Sequence, residues 1–150
     1  MTQPPPSLAD WEFDAPCPWP PGTDEGYAFH HFFGKTLEAA EERFAKDPYG
    51  SREDFSYMPD ICRQYYITAF ANYLLSPKSR EDADAATSFV SVVDELAPIF
   101  ARCDLPTRTT LLKALTKIAS DLIRYDIEAG AYGGIEARIA KCHSQLELVR

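Results

Sequence analysis

From Thr36 onward, apolar residues return every three or four positions, and that period constrains the fold more than any other feature of the chain. Phe89, Val93, Leu96, Phe100 and Cys103 step by 4, 3, 4 and 3, and Ile135, Ile139, Cys142, Leu146 and Val149 repeat the same steps. Such spacing lays one apolar stripe along a helix face. No segment alternates with period two over a useful length, and β-branched residues are nowhere concentrated between turns. The chain is therefore predicted to be all-α, a bundle of four to five main helices. The two heptads of the last stripe are too few for a coiled coil, so packing inside the bundle is expected.

Punctuation residues set the boundaries. A first helix is predicted over 36–46 on Leu37, Ala40 and Phe44, with Asp47-Pro48 stopping it. Residues 49–56 read as a loop, turned at Gly50. Pro59 suits the first helical position of a second helix that runs to Leu75, where Ser76-Pro77 ends it. Tyr65, Tyr66, Phe70 and Tyr73, with Ile61, Cys62, Ala69 and Leu74, cover more than one stripe of that helix. It is predicted to be the central helix, packed on several sides. The capping pattern at Ser79–Asp82 opens a third helix to Cys103, which Pro98 should kink or divide. Asp104-Leu105-Pro106-Thr107 is a tight connection into a helix over 107–128, and Gly133-Gly134 leads into the last one.

Residues 1–33 differ from all of this. They hold seven of the twelve prolines, both tryptophans and five acids (Asp10, Glu12, Asp14, Asp24, Glu25), with no lysine or arginine. The composition predicts an extended, proline-rich acidic arm over 1–33 and a helical bundle domain over 34–150. Pro16, Pro18, Pro20 and Pro21 would hold the arm extended at small entropic cost. Removing it is expected to leave much of the bundle folded.

A chain of 150 residues fits one domain and buries about 70% of its unfolded surface, so no disulfide or metal is needed to hold it together. No apolar run reaches the roughly 20 residues that span a bilayer, and the start lacks a signal-peptide pattern, so a cytoplasmic protein is expected. The net charge of −8 divides into −5 over 1–33 and −3 over 34–150. Nucleic acid and anionic lipid need clustered cations, so neither is expected as a partner, whereas a basic protein would be steered toward this surface.

No residue set names a reaction. Cys17, Cys62, Cys103 and Cys142 form no C-x-x-C pair, and only convergence with His30-His31 or Cys142-His143 would make a metal site. Neighbours such as Cys142 and His143 point about 100 degrees apart on a helix, the wrong geometry for a nucleophile and its base. Gly34-Lys35-Thr36 ends like a phosphate-binding loop but lacks the earlier glycine and the preceding strand. Acid pairs such as Glu41-Glu42 and Asp94-Glu95 fall on polar faces, and there is no Glu-x-x-His. No catalytic residue, metal or cofactor is assigned.

One stretch resembles a loose pattern of small bacterial helical proteins. Its pieces are Phe33-Gly34-Lys35-Thr36, Glu53-Asp54-Phe55, Tyr57-Met58-Pro59, and Tyr65-Tyr66 followed by Ala69 and Tyr73-Leu74. The pattern is similar to that of polymorphic-toxin immunity proteins, covers only 33–75, and departs from it where Ile67-Thr68 replaces a proline after the paired tyrosines. The resemblance implies a small, acidic, cytosolic protein with no chemistry of its own.

The sequence is read as a non-enzymatic protein-binding module, in the specific form an immunity or inhibitor protein for a basic toxin domain. Trp11, Glu12, Phe13, Asp14 and Trp19 alternate rings with charges and are the candidate partner-binding residues. The competing expectation is that Trp11, Phe13 and Trp19 fold back onto the body. The alternative function is a small enzyme or ligand-binding bundle whose site gathers His30, His31, Arg63, Tyr65 and Tyr66.

Overall fold

The protein is described by a computed structural model covering residues 3–12, 20, 22–131 and 133–147. Among the described residues there are eight α-helices and no strand, as the period predicts. They are α1 (Asp24–Phe32), α2 (Leu37–Lys46), α3 (Pro48–Ser56), α4 (Asp60–Leu75), α5 (Ala83–Glu95), α6 (Ala97–Phe100), α7 (Leu105–Ser120) and α8 (Ile135–Glu147). Short 3-10 turns cover Leu8–Trp11, Pro77–Ser79 and Ile123–Tyr125.

The difference from the expected four to five has three causes. The loop expected over 49–56 is α3: Asp47 ends α2 and its carboxylate then accepts the Gly50 N–H at 2.9 Å, with Pro48 at the first helical position. A Cβ at Gly50 would push that carboxylate aside and disturb the cap. Part of the expected arm is α1, opened by Thr23 accepting from the Gly26 N–H at 3.0 Å. Pro98 divides the long third helix into α5 and α6. Smaller shifts follow: Pro59 precedes α4 as its cap, and the helix expected to 128 ends at Ser120, with Tyr125 reaching the core from a 3-10 turn.

α4 is the centre of the bundle, packed against α2, α5, α6 and α7. Its Phe70 stacks on Phe44 of α2 at 4.2 Å between centroids and meets Phe89 of α5 edge-on at 5.4 Å. Helix α8 closes the far side against α5 and α7 with Ile135, Ile139, Cys142 and Leu146 buried. The Tyr125 hydroxyl donates to the Leu74 carbonyl at 2.7 Å, which satisfies one of the orphan acceptors at the end of α4.

The core does not respect the boundary expected after residue 33. Trp11, Ala28 and Phe32 belong to the same buried cluster as Phe44, Phe70 and Leu115. Residues 8–11 are a 3-10 turn rather than extended chain, and Trp11 is 0% exposed between Phe29 and Tyr66. Of the two expectations for Trp11, a partner interface or folding back onto the body, its burial matches the second, because a large ring gains more by burial than by staying in water. Phe13, Asp14, Trp19 and the prolines at 16, 18 and 21 lie outside the described residues.

Candidate functional site

Among the concave regions that carry polar groups, one lies along α1 and α2 and another where the N-terminal segment meets α4 and α7. The first depression sits at the end of α1 and along α2. Helix α1 brings His30 and His31 into its last turn. Gly34, at a φ of 78° that only glycine adopts without strain, turns the chain so that Lys35 follows directly. Ala39, Glu42, Arg43 and Lys46 are spaced 3, 1 and 3 along α2 and share one face. Together they line a depression of about 400 Å³, in which the single methyl of Ala39 leaves room between longer side chains.

Behind it lies a tight polar cluster. Asp54 of α3 is buried, and its Oδ2 lies 2.9 Å from His31 Nδ1 and 3.3 Å from Arg43 Nη2. With Nδ1 donating to the carboxylate, the Arg43 amino group 3.1 Å from the same ring nitrogen bonds to Asp54 rather than to the ring. Burial pushes the Asp54 carboxyl above the ordinary aspartate range, against the pull of His31 and Arg43. Burial and the neighbouring Arg43 cation hold Lys35 below the usual lysine range. Arg43 Nε is buried with no hydrogen-bond partner among the described residues.

The second region is a groove of about 450 Å³ where residues 3–10 cross the start of α4 and the start of α7. The Tyr65 hydroxyl donates to the Gln3 carbonyl at 3.2 Å and so ties the N-terminal segment to α4. Ile61 stands on the groove wall, 56% exposed although it opens the core helix. A shallower extension beside it is lined by Asp10, Glu12, Pro59 and Asp60. Asp60 receives Arg63 at 3.0 Å and Arg102 at 3.1 Å.

The residues expected to form one ligand site are therefore spread over four places. His30 and His31 line the basic depression. Tyr65 borders the groove. Arg63 caps the end of α3, donating to the Phe55 carbonyl at 2.6 Å and the Ser56 carbonyl at 2.7 Å. Tyr66 is buried, with its hydroxyl 2.7 Å from the Phe32 carbonyl and 2.9 Å from that of Lys35, and burial raises its pKa. It holds the α1–α2 turn from beneath and does not reach either concave surface. Of the residues proposed for a partner, Glu12 is exposed beside the groove and Trp11 is buried.

Arg43 and Lys46 were not singled out in the sequence, Lys35 only within the incomplete phosphate-loop pattern and the 33–36 piece of the resemblance, and Ile61 only as a helix residue. The signal for the first three was present: Arg43 and Lys46 are three apart on a helix that follows Lys35 within one turn. Ile61 counted as one more apolar residue of an all-round apolar helix. Among the described residues, no group of three or more His, Cys, Asp or Glu is placed to hold a metal ion, and no helix is long and apolar enough to cross a membrane. No protein-family model, curated protein or solved structure matches this chain.

Proposed function

We propose that the protein is a non-enzymatic binding module for a basic protein, docking across the groove between the N-terminal segment and α4. The observation that carries this reading is Ile61, a large apolar side chain left 56% exposed beside Asp10 and Glu12, with Asp60 next to it already paired to Arg63 and Arg102. Leu8 and Leu105, on the two segments flanking the groove, are also exposed. An apolar anchor inside an acidic rim is the arrangement that binds a partner carrying an apolar knob and surrounding lysines or arginines. The net charge of −8 supports it by steering such a partner inward. An immunity or inhibitor protein acting on a basic toxin domain in a bacterial cytoplasm is the specific form of this proposal.

The test is affinity capture with the full chain and with Ile61→Asp, followed by Kd measurement on the recovered partner made recombinantly. The expected partner is basic, its affinity falls roughly tenfold or more in Ile61→Asp, and raised salt weakens it. A partner bound equally by Ile61→Asp, or the recovery of none, overturns the groove as the docking face.

A further inference from the structure

The basic depression has no role in a groove that binds a basic protein. Lys35, Arg43 and Lys46 converge there with His30 and His31 on a chain whose overall charge is −8. Arg43 is already paired, with Asp54 at 3.3 Å and Asp47 at 3.5 Å. Lys35 and Lys46 make no ion pair among the described residues. We propose that the depression is a binding site for a small, free, phosphate-bearing anion, held by Lys35 and Lys46 and backed by Arg43 and the two histidines.

The parts divide the work. Asp54 neutralises one positive charge and fixes His31 and Arg43 in place, so the polar floor is oriented before any ligand arrives. The Tyr66 hydroxyl, against the Phe32 and Lys35 carbonyls, fixes the turn that presents Lys35. Burial and then the Arg43 cation disfavour the charge on Lys35, with Asp54 and Glu42 opposing them, and an anion bound beside Lys35 would favour that charge. Glu42 on the same rim repels every anion and reduces the gain from the two lysines. What remains scales with ligand charge, so a doubly charged phosphate gains about twice what a monoanion such as acetate gains. A depression of about 400 Å³ has room for more than one phosphate group, which favours a diphosphate or a phosphate ester over the bare ion.

The experiment titrates the full chain with inorganic pyrophosphate, followed by calorimetry and by amide shifts. Saturable binding is expected, with the largest shifts at Gly34, Lys35, Ala39 and Arg43. Lys35→Gln and Lys46→Gln should each weaken it about three- to tenfold, while Lys113→Gln on α7 leaves it unchanged. Acetate at the same ionic strength should produce no saturable shift. Absence of saturable pyrophosphate binding, or equal weakening by Lys113→Gln, overturns the proposal. A phosphoserine peptide that binds far tighter than pyrophosphate, with the same lysine dependence, also overturns it by making the ligand a protein.

Discussion

The Trp11 ring meets the Phe29 ring edge to face, with centroids 5.5 Å apart and planes at 88°. This pair fastens the N-terminal segment to α1, and Tyr66 backs the same indole from α4 at 6.4 Å. Trp11→Ala should therefore destabilise the whole bundle by about 3–5 kcal/mol, the range for truncating a buried aromatic. At roughly 2–4 °C per kcal/mol for a chain of this size, thermal unfolding should fall by roughly 6–20 °C. A melting temperature unchanged in Trp11→Ala would return this segment to the role of a free arm.

Tyr66→Phe keeps the ring and removes the hydroxyl that serves the Phe32 and Lys35 carbonyls. The loss should be about 1 kcal/mol in urea unfolding, because the partly buried Lys35 carbonyl loses its hydroxyl donor while the Phe32 carbonyl keeps the Lys35 N–H at 3.0 Å. The affected amides in hydrogen exchange should centre on 32–36 rather than on α7 or α8.

Two aspartates should give opposite pH signatures. Burial acts on Asp94 to raise its pKa, but hydrogen bonds from Lys141 at 3.0 Å and Arg138 at 3.2 Å outweigh it and hold the carboxyl below the ordinary range. A depressed folded pKa means stability that is present above about pH 4 and is lost as pH falls through the folded value. Asp94→Asn should cost about 1 kcal/mol at neutral pH, since its partners are partly exposed, and nothing at the acid end. Asp54 is raised, chiefly by burial, so the folded state holds its proton more firmly than the unfolded chain does. Its contribution is lost as pH rises from about 4 through the folded value, and Asp54→Asn should flatten that fall. Stability against pH for both variants checks the two signs.

Burial raises the Cys103 and Cys142 thiols, each pushed up to about 11. Thiolate is the reactive form, so neither should be alkylated appreciably by iodoacetamide at neutral pH while the protein is folded. Peptide mapping by mass spectrometry before and after denaturant should show both labelled only in the unfolded chain.

The helix class and five of the helical regions were legible because a 3.6-residue period survives in the apolar stripes of α2, α4, α5 with α6, α7 and α8. What was missed has a common physical origin. Asp47-Pro48 reads as a stop, yet the same pair is also a strong start, and one residue does both. In 24–32 the prolines and acids nearby obscured Thr23 followed by Asp24 and Glu25, an ordinary helix opening with Phe29 and Phe32 three apart. Trp11 was weighed as an interface anchor because its charged neighbours face water; no one-dimensional pattern states that a lone ring on a 3-10 turn inserts between two helices. Of the ligand residues, His30 and His31 were found together because they are neighbours in the chain. Tyr65 and Tyr66 are adjacent too, but they point about 100 degrees apart, one to the groove and one to the core, while Arg63, one turn before Tyr66, reaches the end of α3.

Helices α2 and α3 share Asp47 with no spare residue between them. Most helix junctions absorb an insertion by enlarging a loop. Here one added residue would rotate α3 by about 100° against α2, carrying Asp54 away from Arg43 and Phe55 out of its stack on Phe44. The elbow at Asp47 thus makes chain length itself a structural constraint in this stretch: the count of residues from Arg43 to Asp54 sets both the ion pair and the ring stack.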